Sequence, residues 1–166
     1  YMEVPKTTTP AVMTSSGLKR MEFRITASKW RQRSFAKNWN QAIVRNNPAA
    51  VNEARAKDIM RFTRMLKAPL LYGDKVTLDF TPGKGTTISI NGITMVKVKD
   101  ESFFNAVLNA WIGQRPPSSE FNSGILGTKD STVISRYENT RPTNLGARNK
   151  TIKQWASKPK PKPRPT

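Results

Sequence analysis

The stretch that decides the fold is residues 72–113, YGDKVTLDFTPGKGTTISINGITMVKVKDESFFNAVLNAWIG. Apolar and polar residues alternate over residues 76–80 and again over residues 88–90, which is typical of strands with one buried face. Asn91-Gly92 is a strong signal for a two-residue hairpin turn. The pattern therefore predicts a meander of antiparallel strands at 75–81, 86–91 and 93–98.

A helix is predicted directly after the meander, at 101–113. Asp100 can cap its first turn, and Gly113 is suited to its C-terminal end. Between them, apolar residues recur at the i, i+3, i+4 and i+7 spacing of a helix with one buried stripe. These residues are Phe104, Val107, Leu108 and Trp111.

Upstream of the meander, the sequence predicts one more strand and two helices. Residues 19–26 alternate with period two, and apolar residues then recur four apart along a helix predicted at 29–46. A second helix is predicted at 48–66, with Asn47 as its cap and Pro48 at its first position. Residues 1–18, rich in Thr, Pro and Ser, indicate a connector.

The composition excludes several kinds of chemistry. The chain has no Cys and no His, so Cys nucleophiles, His general bases, disulfides and zinc sites of Cys or His are excluded. Its eleven carboxylates are scattered, which argues against a dedicated cage of acidic metal ligands. We expect neither a metal nor a cofactor.

The charge balance favours an anionic partner. The net charge is +18, and residues 29–67 carry ten Lys and Arg against only Glu53 and Asp58. An anionic surface is therefore a candidate partner of the predicted helices. Sequence-specific nucleic-acid recognition is not expected, because the chain has no RNP, zinc-finger or KH motif. The cations are Lys29, Arg31, Arg33, Lys37, Arg45, Arg55, Lys57, Arg61, Arg64 and Lys67.

Residues 128–166 are predicted to be a basic, Pro- and Lys-rich extension that is largely disordered. Residues 158–166 alternate cation and proline, which favours an extended, solvated chain. Residues 151–166 are accordingly expected to be dispensable for folding and to strengthen attachment to anionic surfaces. Trp155 is the one aromatic residue there that can anchor the segment.

The sequence motifs in residues 72–127 resemble those of bacterial chalcone-isomerase-like proteins. They share the Gly-Asp strand start, the Pro-Gly-basic-Gly-Thr turn, the Asn-Gly hairpin, a helix that ends in Trp-Ile-Gly, and a final Gly-Ile-Leu-Gly. The resemblance covers residues 1–127 and implies an α+β fold, an open-faced β-sandwich with an antiparallel sheet and helices packed on one face. Tyr1-Met2-Glu3 matches a position inside the family's domain, so the resemblance implies that the first strands are missing here. It also implies a periplasmic or secreted location.

The resemblance implies only part of a catalytic site. Plant enzymes of the family carry a Tyr, an Asn and a hydroxyl residue at positions that match Arg31, Asn38 and Ala110. Chalcone cyclisation needs the phenolate near a cation and the ketone polarised through hydroxyl groups. Ala110 has no hydroxyl, and Arg cannot act as the phenol. Arg31, Asn38, Ala110 and Trp111 are therefore ligand-binding candidates, and no catalytic residue is assigned.

Three functions stay open on the sequence. The first is a noncatalytic chalcone-isomerase-like domain that binds a small apolar ligand, such as a fatty acid whose carboxylate meets Arg31. The second is an isomerase, an intramolecular lyase acting on a flavonoid-like or other enone substrate. The third is a basic adaptor for anionic surfaces. The Gly83-Lys84-Gly85-Thr86 segment is not a phosphate loop, because Lys precedes the second Gly and a strand follows.

Overall fold

The computed structural model describes residues 2, 9–15, 17–115 and 139–157. In chain order the elements are α1 (Thr9–Thr14), β1 (Lys19–Arg24), β2 (Lys29–Trp30), α2 (Gln32–Asn46), α3 (Ala49–Ala54), α4 (Ala56–Thr63), β3 (Leu70–Leu71), β4 (Lys75–Thr81), β5 (Gly85–Ile90), β6 (Ile93–Val98), α5 (Ser102–Ile112) and α6 (Leu145–Ser157).

The main sheet has the order β1-β4-β5-β6 and all its pairs are antiparallel. The predicted strands and the Asn-Gly hairpin are confirmed. Asn91 has φ +50° and Gly92 has φ +83°, the positive values at both central residues that a tight turn between twisted strands requires. Gly83 and Lys84 lie in the turn between β4 and β5, as predicted.

The helices cover the face of the sheet that carries Val76, Leu78 and Phe80. Phe80 contacts Phe104 of α5 with ring centroids 5.6 Å apart, and α2 packs against both α5 and α4. Asp100 accepts hydrogen bonds from the Ser102 amide (2.9 Å) and hydroxyl (2.6 Å) at the start of α5. These bonds, the hydroxyl bond above all, lower the pKa of Asp100. The predicted fold class, an antiparallel sheet with helices on one face, is confirmed.

Two helix predictions need correction. The first helix begins at Gln32 because Lys29 and Trp30 pair as a short strand with Leu71 and Leu70. The helix predicted at 48–66 is broken at Arg55, which has φ −107° and ψ 5° between α3 and α4. The Arg55 side chain forms an ion pair with Asp100, so the break aims this residue at the start of α5.

The cap of α3 also differs from the prediction. Pro48 is the N-cap residue rather than the first helical residue, and no side chain caps the helix. The side-chain amide of Asn47 instead donates hydrogen bonds to the backbone carbonyls of Ile43 (2.9 Å) and Ala106 (2.8 Å). Asn47 therefore ties α2 to α5.

The expectation of a largely disordered extension is wrong for residues 145–157, which form α6. Ile152 is fully buried and Trp155 is 7% exposed, both within the same hydrophobic core as the sheet. Arg148 of α6 binds the fully buried carboxylate of Asp74. The predictions for residues 128–138 and 158–166 lie outside the described residues.

The predicted connector at residues 1–18 contains α1, whose Val12 is buried against the core. In the part of the chain that the structure describes, no helix is long and apolar enough to cross a membrane.

Candidate functional site

Seven aromatic rings form one contacting cluster between the sheet and the helix layer. Neighbouring ring centroids lie 5.1–6.4 Å apart, the range of favourable aromatic pairs. Many of the contacts are edge-to-face. The aromatic cluster consists of Phe23, Trp30, Phe35, Trp39, Phe62, Phe103 and Trp111.

The four predicted ligand-binding residues divide between solvent and core. Ala110 is fully buried and Trp111 is 7% exposed, and the Trp111 ring lies 5.7 Å from that of Trp39. Arg31, the N-cap residue of α2, and Asn38 in its middle are both exposed. A part in ligand binding stays a prediction for all four.

Trp39 carries an unusual polar atom inside the aromatic cluster. The residue is 4% exposed, and no described residue accepts a hydrogen bond from its indole nitrogen. Leaving a buried donor unpaired costs about 1–3 kcal/mol. Its spacing from Phe35 and Ile43 predicts only a core position, so the sequence gives no sign of this unpaired donor.

An open groove lies on the outer side of the helix layer, between α2 and α4. It has a volume of about 210 Å³. The buried Ile43 and Ile59 form its base, while Val44 and Met60 stand exposed at its rim. Arg64 also lines it and is exposed. The remaining lining residues are Asn40, Asn52, Ala56 and Thr63.

The groove combines the two features that are needed to bind an amphipathic acid. Its apolar walls can shield part of a hydrocarbon chain from water. The Arg64 guanidinium can donate charge-assisted hydrogen bonds to a carboxylate. The sequence predicts only a basic surface at Arg64 and does not indicate the groove, because Val44 and Met60 lie off the apolar stripes that mark the core.

Lys19 is a second residue whose environment the sequence does not predict. It is 5% exposed at the start of β1. Its ammonium donates a hydrogen bond to Asn105 Oδ1 (3.0 Å) and lies 5.2 Å and 5.4 Å from the ring centroids of Phe80 and Phe104. Burial lowers the pKa of Lys19. The two rings and the amide hold the cation in place, and this arrangement stabilises the edge of the sheet.

The predicted basic surface is exposed on the helix layer. Nine of its ten cations are exposed, and the tenth, Arg55, pairs with Asp100. Among the described residues, no cluster of three or more acidic, His or Cys side chains could hold a metal ion.

Comparison with known proteins agrees with the fold. The family model described as chalcone isomerase-like matches residues 1–127, well over half of the chain. The crystal structure of a fatty-acid binding protein of Arabidopsis thaliana is similar, with a TM-score of 0.58 and 16% identical residues. The similarity covers 72% of this chain and 60% of that protein, so the chain spans less than two thirds of it. No curated protein matches the sequence significantly.

Proposed function

Because the chain belongs to the chalcone isomerase-like family, we propose that it is a noncatalytic binder of a small apolar ligand with an acidic head, of the fatty-acid class. The groove between α2 and α4 carries this proposal. It is apolar at its base and has the exposed Arg64 at its lining. The similar fold of a plant fatty-acid binding protein supports the same ligand class.

The size of the groove limits the ligand. Its volume of about 210 Å³ lies below the roughly 300–1,000 Å³ of pockets that enclose a drug-sized ligand. The groove therefore covers part of an acyl chain and leaves the remainder in contact with Val44 and Met60 at the rim. Medium-chain acids should gain most of the available contact, and longer chains should gain little more.

The first prediction concerns the carboxylate. Arg64→Gln should weaken the binding of a medium-chain fatty acid about twofold to fivefold, because an exposed charged hydrogen bond contributes up to roughly 1 kcal/mol. Isothermal titration calorimetry or displacement of a fluorescent fatty acid measures this change. Arg45→Gln is the matched control, since Arg45 is exposed on α2 but does not line the groove. Equal losses in the two variants would contradict a role for Arg64.

The second prediction concerns catalysis. Chalcone should disappear in the presence of the protein at the spontaneous rate, because Ala110 is buried without a hydroxyl and Arg31 is exposed at the start of α2. Absorbance of the chalcone over time measures the rate. A faster rate that Arg31→Ala abolishes would favour the isomerase alternative over the binder.

A contact with an anionic surface is a further part of the proposal. The observation that supports it is the separation of charge, because the exposed residues of α2 and α4 include several cations and no unpaired acid. A location outside the cytoplasm is also proposed, and it rests on the resemblance to exported bacterial proteins alone.

A further inference from the structure

Two exposed stripes of the helix layer flank the groove. On α2, Arg33, Lys37 and Val44 fall on one side of the helix at spacings of four and seven residues. Lys57 and Met60 of α4 and its C-cap residue Arg64 do the same at spacings of three and four. Val44 and Met60 both line the groove, so the two stripes face outward together. These six residues form the docking face.

The docking face has apolar residues at its centre. Val44 is 61% exposed and Met60 is 48% exposed. A single exposed apolar side chain is ordinary on a protein surface. Here two large ones stand at the rim of one groove, and cations follow them along both helices. The arrangement is that of an interfacial surface, with apolar residues at the centre and basic residues around them.

The charge of the surrounding surface is predominantly positive. On α2, α3 and α4 the acidic residues are Glu53 and Asp58. Asp58 is paired with Arg61, and Glu53 lies on α3, off both stripes. The docking face itself contains four cations and no acid. Such a surface is complementary to a negatively charged one.

We propose that the docking face binds an anionic phospholipid bilayer, with its four cations among the headgroups and Val44 and Met60 at the acyl boundary. This rests on the proposed contact with an anionic surface and identifies that surface. A nucleic acid matches the cations equally well, but its phosphate backbone offers nothing to the two apolar side chains. A bilayer matches both features. In this orientation the groove opens toward the membrane, so an acyl chain can pass between bilayer and protein without crossing water.

The experiment compares vesicle binding of three variants of the whole chain. In the first, Arg33→Gln, Lys37→Gln and Lys57→Gln remove three of the four cations of the docking face. Arg64 is kept so that it can still bind the ligand. In the second, Lys84→Gln, Lys150→Gln and Lys153→Gln remove the same charge from exposed positions outside this face. In the third, Val44→Ser and Met60→Ser remove the apolar centre. Each is measured by cosedimentation with vesicles of equal parts phosphatidylcholine and phosphatidylserine, and by retention on double-stranded DNA.

The first variant should bind the vesicles on the order of a hundred-fold more weakly, because each of the three surface cations contributes about 1 kcal/mol, roughly a fivefold factor. The second should lose far less. The third should bind vesicles about tenfold more weakly while its retention on DNA is unchanged.

Equal losses in the first and second variants would overturn the docking face. An unchanged third variant, or stronger retention on DNA than on vesicles, would overturn the bilayer as the partner. Fatty-acid binding in solution should be unchanged in the first variant. A failure of the fatty-acid assay would therefore count against the ligand proposal alone.

Discussion

Asp74→Ala should lower the free energy of unfolding by about 3–5 kcal/mol, which is the cost of leaving a buried ion pair with one partner. Asp74 is fully buried at the start of β4, and Arg148 is only 12% exposed. Arg148 Nη2 lies 2.7 Å from Asp74 Oδ2, and Arg148 Nε lies 3.0 Å from Asp74 Oδ1. Removing the Asp74 carboxylate therefore leaves the Arg148 guanidinium in a nearly dry site without a counter-charge.

Further hydrogen bonds to the same carboxylate explain the size of the effect. The Leu71 amide donates at 2.8 Å, and the Asn91 side-chain amide donates at 3.0 Å. Asp74 thus joins β3, the β5–β6 turn and α6 through one side chain. Arg148 also donates to the carbonyl of Pro69 at 3.1 Å.

The chain provides a matched control in Asp79, which also pairs with an arginine, Arg20. That pair is exposed, with 36% of the Asp79 side chain and 45% of the Arg20 side chain open to solvent. Asp79→Ala should cost less than about 1 kcal/mol. Urea denaturation followed by circular dichroism measures both. Similar losses would show that burial of the Asp74–Arg148 pair contributes nothing, and a double-mutant cycle with Arg148→Met gives the coupling.

A chain that ends at Lys150 should be less stable by more than about 5 kcal/mol than one that ends at Ser157. The shorter chain lacks Ile152, which is fully buried, and Trp155, whose ring lies 5.1 Å from the Arg148 guanidinium. Removing a buried Ile costs roughly 2–5 kcal/mol and a buried Trp roughly 3–5 kcal/mol. Since small domains are stable by only about 5–15 kcal/mol, the shorter chain should be partly or wholly unfolded at room temperature.

Point variants test the same contact without shortening the chain. Trp155→Ala should lower the melting temperature by many degrees, while Lys153→Ala, at an exposed position of the same helix, should leave it unchanged. A melting temperature that stays the same in Trp155→Ala would restore the expectation, drawn from sequence, that residues 151–166 are dispensable.

The elements that the sequence predicts well are those whose cause is local. The alternation along β4 and β5, the Asn91-Gly92 turn and the stripe of α5 each depend on neighbouring residues, and all three agree with the structure. The break at Arg55 was missed because the apolar spacing continues across it. Arg55 pairs there with Asp100, which lies 45 residues away in the chain and so leaves no local signal in the sequence.

The terminal helix and the groove could not be predicted for a related reason. Within residues 145–156 of α6 only Ile152 and Trp155 are buried, too few to produce a visible stripe. The groove arises where two helices meet, and its rim residues, Val44 and Met60, fall where a core pattern has polar residues. The basic character of the site could be predicted from the sequence. The position of the groove could not, because it depends on how α2 packs against α4.

The Asp74–Arg148 contact can form only late in the synthesis of the chain at the ribosome. The two residues are 74 positions apart, whereas the meander and α5 are complete at Ile112. At roughly 5–20 residues per second, Arg148 is made about 2–7 s after α5. Until then Asp74 has no cation beside it, and the core lacks Ile152 and Trp155. Until α6 has been made, the nascent domain therefore exposes the apolar surface on which Ile152 and Trp155 pack, and a chain that stops before Ile152 cannot cover it.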